Sequence, residues 1–110
     1  MSNPKIDRAI HLISTEKWRL VPSALYEGSA CGCVIGCLAL QCGIPPSTLR
    51  GIDKIDIDAP SWMDLKHFIA KEFDLSMSEL EQLVKINDYT VAPSKRIKRV
   101  VKFLKKINKG

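Results

Sequence analysis

The most constraining feature of the sequence is an uncharged stretch, residues 28–49, that contains all four cysteines. Its middle part, SACGCVIGCLALQCG, is apolar on nearly every side when drawn as a helix, so neighbouring elements must bury it. Cys, Ala and Gly are small enough to let those neighbours approach closely, and free cysteine is among the most often buried residues. The stretch therefore predicts a buried helix over about residues 30–42, ended by Gly43 and the Pro45-Pro46 pair.

Four further segments have the apolar periodicity of helices. The Asn3-Pro4 pair is a typical helix start and predicts a first helix over residues 4–14. Ser61 with Asp64, and Ser76 with Glu79, have the three-residue spacing of capping boxes, which predicts a helix after each serine. Residues 95–107 have the clearest amphipathic pattern, with apolar side chains on one face and Lys or Arg on the other.

The remaining segments predict loops. Residues 15–30 are interrupted by Pro22 and Gly28, and residues 50–62 alternate isoleucine with charge but have no partner strand. The predicted fold is therefore all-α, a compact single-domain bundle (1–110) of about five helices around the cysteine-containing helix, with a basic C-terminal helix at about 95–107.

Composition places the chain among ordinary globular proteins, with 45% apolar and 26% charged residues. No apolar run approaches the roughly 18 to 20 residues that cross a bilayer, and charges interrupt the N-terminus where a secretion signal needs an apolar block. These features predict a cytoplasmic protein without a membrane partner. Its thiols are then expected to be reduced.

A metal site is one alternative role for the cysteines. Their spacing is C-x-C-x3-C-x4-C, whereas structural zinc sites take ligand pairs from two separate segments and iron–sulfur sites use C-x2-C runs in loops. One rigid helix cannot wrap a metal with these four residues. We therefore predict no metal and no other cofactor.

Catalysis by a cysteine is another alternative, because Cys31 or Cys33, His67 and Asn87 occur in the order Cys-His-Asn. Cys31, near the start of the expected helix, would gain some thiolate character from the helix dipole. However, no His, Lys or Arg lies within six residues of any cysteine. The sequence favours a packing role and predicts a protein that is not an enzyme.

Charge is distributed unevenly along the chain. Residues 95–110 contain eight of the 17 basic residues and no acid, which leaves nine basic against 12 acidic residues in residues 1–94, a net charge of −3. Such asymmetry suggests an anionic partner. The cations of the terminal helix either bind an acidic protein surface, contact nucleic-acid phosphates or form a solvated face; they are Lys95, Arg96, Lys98, Arg99, Lys102, Lys105, Lys106 and Lys109.

Several residues resemble a pattern found in a group of small bacteriophage and bacterial proteins. That pattern is a Trp, a Cys-Ala-Ile/Leu-Gly-Ala-Leu helix and a Trp-Asn-Asp before the last helix. The residues that match it are Trp18, Cys33, Gly36, Leu38, Asn87 and Asp88. Cys37 replaces the usual alanine and Ile86 the second tryptophan. The resemblance implies a helical fold and a phage or mobile-element origin, and carries no activity.

Asn87 and Asp88 are expected between the last two helices, where such residues cap helix ends and form turns; a polar functional site at that turn is the alternative. Trp62, Tyr89 and the isoleucine-containing loop are candidate contacts with a protein partner, because aromatic residues often carry interface energy. We therefore expect a small binding protein that acts on a host macromolecule, for example as an inhibitor of a host factor or defence system. The alternative is a nucleic-acid-binding or regulatory protein that uses the basic helix.

Overall fold

The computed structural model describes residues 3–28 and 30–108, and these are mostly helical. Their Cα radius of gyration, 12.8 Å, is that of a compact fold. The elements in chain order are α1 (Pro4–Ser14), β1 (Arg19–Leu20), β2 (Cys31–Gly32), α2 (Val34–Gln41), α3 (Pro46–Asp53), α4 (Trp62–Glu72), α5 (Met77–Tyr89) and α6 (Pro93–Ile107).

The helix starts that depend on local side-chain bonds are confirmed. The Asn3 side chain accepts the Lys5 N–H at the start of α1. Both predicted capping boxes are present, with Ser61 and Asp64 bonded reciprocally before α4, and Ser76 and Glu79 before α5. Each box satisfies two backbone N–H groups that a helix start leaves without partners.

The cysteine-containing helix is shorter than expected. It begins at Val34, because Cys31 and Gly32 instead pair in parallel with Arg19 and Leu20. The prediction of a helix from residue 30 was therefore wrong by four residues at its N-terminal end. Residues 34–39 are all buried, and the principal contacts of α2 are with α1, α4 and α5. Its expected position at the centre of the whole bundle stays a prediction.

Helix α3 was not predicted. Pro45 and Pro46 end the preceding segment, but Pro46 also occupies the first turn of α3, where its missing N–H costs nothing. Leu49 and Ile52, three residues apart, are buried on its inner face. The expected loop is thus confined to residues 54–61.

Helix α6 packs its apolar stripe against α1 and α5. Val100 and Leu104 are fully buried, and Ile97, Val101 and Ile107 pack against the core beside them. Within residues 3–28 and 30–108, no helix combines the length and the apolar character needed to cross a membrane.

Candidate functional site

A cavity of about 300 Å³ opens at the N-terminal end of α2. We call it the α2 cavity. Apolar side chains from five parts of the chain form its walls, and polar side chains line it as well. Its lining residues are Ser23, Ala24, Leu25, Cys33, Val34, Ile35, Ile52, Asp53, Trp62, Val84, Asn87 and Asp88.

Asn87 joins three segments at this cavity. Its side-chain oxygen accepts the Val34 N–H at 3.1 Å, and its amide nitrogen donates to the Val21 carbonyl at 3.0 Å. Asn87 is completely buried and lies inside α5, so the expected turn at Asn87-Asp88 was wrong. Asn87 does act as a cap, but for the first N–H of α2, a helix 53 residues earlier in the chain.

Two aspartates hold the loop that follows β1. The Asp53 carboxylate accepts the Leu25 N–H at 3.0 Å and the Tyr26 N–H at 3.2 Å. Oδ1 of Asp88 accepts the Ser23 N–H at 3.0 Å and a second hydrogen bond from the Asn87 side chain. These bonds fix both carboxylates beside the cavity.

Position 36 requires glycine because the backbone of the loop after β1 lies directly against it. A Cβ at Gly36 would overlap the backbone carbonyl of Leu25, and one at Gly32 would overlap the same carbonyl and the Trp18 ring. Trp18 is 4% exposed, its ring centroid lies 6.2 Å from that of Tyr26, and its indole N–H has no hydrogen-bond partner among the described residues. The small residues of the uncharged stretch therefore allow the loop after β1, as well as neighbouring helices, to pack closely against it.

The thiols in and near the cavity are held in the neutral form. Burial raises the pKa of Cys33 to about 12, although the nearby N–H groups of Gly36 and Ile35 oppose the shift. Burial likewise raises the pKa of Cys37 to about 12. A neutral thiol is a poor nucleophile and a poor metal ligand. All four cysteines are free thiols, and Cys31 and Cys42 are half-buried.

The structure brings only part of the Cys-His-Asn set to one place. Cys33 and Asn87 both line the cavity, whereas Cys31 and His67 do not, and His67 is exposed on α4. The described lining residues include no histidine. Within the described part of the chain, no three His, Cys, Asp or Glu side chains are grouped so that they could hold a metal ion.

Large apolar side chains are exposed along residues 55–68. Ile55 and Ile57, in the loop after α3, are 90% and 96% exposed. Three more follow at the start and outer side of α4. We call this set the α3–α4 surface; it consists of Ile55, Ile57, Trp62, Met63 and Phe68.

A groove of about 380 Å³ adjoins this surface. Its lining is almost wholly apolar and includes the buried Ile52 and the exposed Phe68. The complete lining is Ile44, Pro45, Thr48, Ile52, Pro60, Asp64, Leu65 and Phe68. Ile52 lines the α2 cavity as well, so the two concave features are neighbours.

The basic face of α6 is narrower than predicted. Six cations occupy an arc of about 120° at 100° per residue; they are Lys95, Lys98, Arg99, Lys102, Lys105 and Lys106. We call them the basic strip. All six are exposed, and neither of the two ion pairs between described residues includes them. Lys109 lies outside the described residues.

Arg96 does not belong to the basic strip. It is 8% exposed and donates from Nη2 to the Thr90 carbonyl at 2.7 Å, at the C-terminal end of α5. The expectation that Arg96 forms part of the solvated basic face was therefore wrong. Around the helix axis, Arg96 lies 100° from Lys95, between the basic strip and the apolar stripe. A helical projection of the sequence would have placed Arg96 at this boundary.

The structure brings four of the sequence-predicted residues to one place. Cys33, Trp62, Asn87 and Asp88 all line the α2 cavity, although 55 residues separate the first from the last. Tyr89 follows at the end of α5 and is 78% exposed. Asp53, the other carboxylate of the cavity, was missed because α3 itself was missed.

We compared the chain with protein-family models, with curated proteins and with solved structures, and none of the three comparisons gives a significant match.

Proposed function

We propose that the protein works by binding a host protein, and that it docks through the α3–α4 surface. The carrying observation is the exposure of Ile55 and Ile57 at 90% and 96%, in a segment that leads directly to the exposed Trp62 and Phe68, of which Phe68 lines an apolar groove. Exposed apolar patches rimmed by polar residues commonly mark protein interaction sites, and aromatic anchors carry much of the energy.

The biological setting forms part of the same proposal. The resemblance carried by Trp18, Cys33, Gly36 and the Asn87-Asp88 pair supports a phage or mobile-element origin. We propose that the protein acts in the host cytoplasm and inhibits a host factor or defence component by occupying its surface. Support for this step comes from an analogy, since small phage proteins often act by binding a host factor.

Binding is preferred over catalysis because of the thiol chemistry. The thiol that lines the cavity, Cys33, has its pKa raised to about 12 by burial, so the thiolate fraction at neutral pH is negligible. Neither histidine lies at the cavity to act as a base. The cysteines thus support a packing role.

Affinity capture from a host lysate, with and without nuclease, tests the proposal. The bait is compared with Ile55→Ser/Ile57→Ser, which removes two exposed apolar side chains and leaves the core untouched. We expect one partner that survives nuclease, binds directly when purified, and is lost with the double variant. Retention of that purified partner by the double variant would contradict the proposal.

A second candidate function is nucleic-acid binding through the basic strip. The six exposed cations on one arc of α6 favour it, because Lys and Arg can bind nucleic-acid phosphates without recognising particular bases. Reversal of Lys98, Arg99, Lys102 and Lys106 to glutamate leaves the apolar stripe intact and is expected to preserve the fold.

Salt dependence separates the two candidates. A protein that neutralises about six phosphates loses about three orders of magnitude in affinity between 50 and 200 mM salt. Such a loss, with nuclease-sensitive capture that the charge reversal abolishes, would establish the second candidate. A weak salt dependence and unchanged capture by the reversed variant would eliminate it.

A further inference from the structure

We propose that the partner inserts an arginine side chain into the α2 cavity, an inference that rests on the α3–α4 surface being the docking surface. Trp62 belongs to both features, since it is exposed at the start of α4 and lines the cavity. Ile52 is shared by the cavity and the adjoining groove. A segment that lies on the surface therefore reaches the mouth of the cavity.

The charges around the cavity select a cationic side chain. Asp53 and Asp88 both line it, and no Lys or Arg is among its described lining residues. Neither aspartate takes part in the two ion pairs between described residues. The loop after α3 and the first turn of α4 add Asp56, Asp58 and Asp64 against Lys54, so residues 53–64 have a net charge of −3. This acidic surface is complementary to a basic segment and repels nucleic acid.

The two carboxylates are already held in position. Backbone N–H groups of Leu25, Tyr26 and Ser23 fix them, as the hydrogen bonds of the loop show. Both of the hydrogen bonds that Asp88 accepts are made by Oδ1, which leaves Oδ2 with capacity for a donor. A cation that binds here does not have to order its acceptors first, which lowers the entropic cost of binding.

The shape and the remaining lining favour arginine in particular. The apolar walls, with Leu25, Val34 and Val84, suit the three-carbon stem, while the guanidinium head reaches the carboxylates. A guanidinium carries five N–H donors in one plane, so a single head can donate to Oδ2 of Asp88 and to Oδ1 of Asp53, which accepts only one hydrogen bond from the described residues. The Trp62 ring already has the Lys66 ammonium 5.8 Å from its centroid, so the carboxylates rather than the ring select the cation. A compact ammonium group has three donors at one point and spans two separate carboxylates less well.

An NMR titration with a short peptide tests this without the partner. The probe is acetyl-Gly-Arg-Gly-amide at constant ionic strength, and its neutral control replaces arginine by citrulline, which has almost the same shape. We expect shifts at the amides of the cavity lining and a dissociation constant on the order of 1–10 mM, the range for a ligand of this size. The citrulline peptide is expected to bind at least about tenfold more weakly.

Variants locate the site. Asp88→Asn keeps an oxygen acceptor for the Ser23 N–H and is expected to weaken the arginine peptide about tenfold. Glu16→Gln removes the same charge from an exposed position outside the cavity and is expected to change nothing. Val84→Trp fills the cavity and is expected to abolish binding, provided that its thermal unfolding is still cooperative.

The outcomes separate the inference from the function on which it rests. Equal binding of both peptides, an unchanged affinity of Asp88→Asn, or shifts confined to residues outside the cavity would overturn the arginine site. Loss of that site while Ile55→Ser/Ile57→Ser still abolishes partner capture would leave the docking surface standing. Arginine binding in the cavity together with full capture by that double variant would overturn the docking surface instead.

Discussion

Replacement of Asn87 by alanine is the most informative perturbation of the fold. The change removes the acceptor of the Val34 N–H and the donor to the Val21 carbonyl. The Val34 N–H is buried, so it has no water to replace its lost partner. An unsatisfied buried backbone group costs about 1–3 kcal/mol, and the half-exposed Val21 carbonyl costs less. We therefore expect Asn87→Ala to lower the free energy of unfolding by about 2–4 kcal/mol.

Chemical denaturation monitored by circular dichroism measures this loss of free energy. In thermal unfolding, a domain of this size loses about 4 °C in melting temperature per kcal/mol, so the melting temperature is expected to fall by about 8–16 °C. Lys85→Ala, on the exposed side of the same helix, is the matched control and is expected to change stability by less than about 0.5 kcal/mol.

Amide hydrogen exchange then identifies the cause. The Val34 amide is expected to be protected in the original protein and to exchange far faster in Asn87→Ala, relative to neighbouring amides inside α2. A loss below about 1 kcal/mol, or unchanged protection of the Val34 amide, would refute the reasoning that Asn87 caps α2.

The other predictions concern backbone approach, the buried arginine and the thiols. Gly36→Ala is expected to cost more than about 2 kcal/mol in thermal unfolding, because the clash with a facing carbonyl outweighs the helix preference of alanine; equal or greater stability would contradict this. Arg96→Ala is expected to lower the free energy of unfolding by about 1.5–3 kcal/mol, because it removes a buried hydrogen bond to the Thr90 carbonyl. Lys98→Ala, at an exposed position, is expected to leave stability unchanged, and equal effects of the two changes would contradict the structural role of Arg96. The Cys33 and Cys37 thiols have a pKa of about 12 in the folded protein and about 9 in the unfolded chain. Their contribution to stability is therefore fully present below pH 9. Between pH 9 and about 12, the free energy of unfolding falls by about 1.4 kcal/mol per pH unit for each thiol. Replacing both by alanine should remove that part of the alkaline slope, and Cys37→Ala alone should cost on the order of 1 kcal/mol.

Features that depend on neighbouring residues in the sequence were predictable. The caps at Asn3, Ser61 and Ser76 involve partners two or three residues away, and all three are confirmed. The amphipathic pattern of α6 likewise indicated which face packs on the core. In these cases local propensity and tertiary packing agree.

The features that were missed depend on contacts distant in sequence. The Asn87 side chain bonds Val34 and Val21, 53 and 66 residues away, and no local pattern reports such a partner. The β1–β2 pair contains only two residues in each strand, too few for an alternating pattern. Helix α3 was obscured because its two prolines are equally typical of a chain break and of a helix start. The cavity is built by the loop after β1 together with α2, α3, α4 and α5, so it appears only after the fold is assembled.

The dissociation constant of the purified partner, measured by calorimetry for the original protein and two variants, tests the central claim most directly. We predict that Ile55→Ser/Ile57→Ser weakens binding by about 30-fold or more, the effect of losing an interface hot spot. Charge reversal of Lys98, Arg99, Lys102 and Lys106 is predicted to change it by less than about threefold. The opposite pattern, binding lost by charge reversal and retained by the isoleucine variant, would contradict the α3–α4 surface as the docking site.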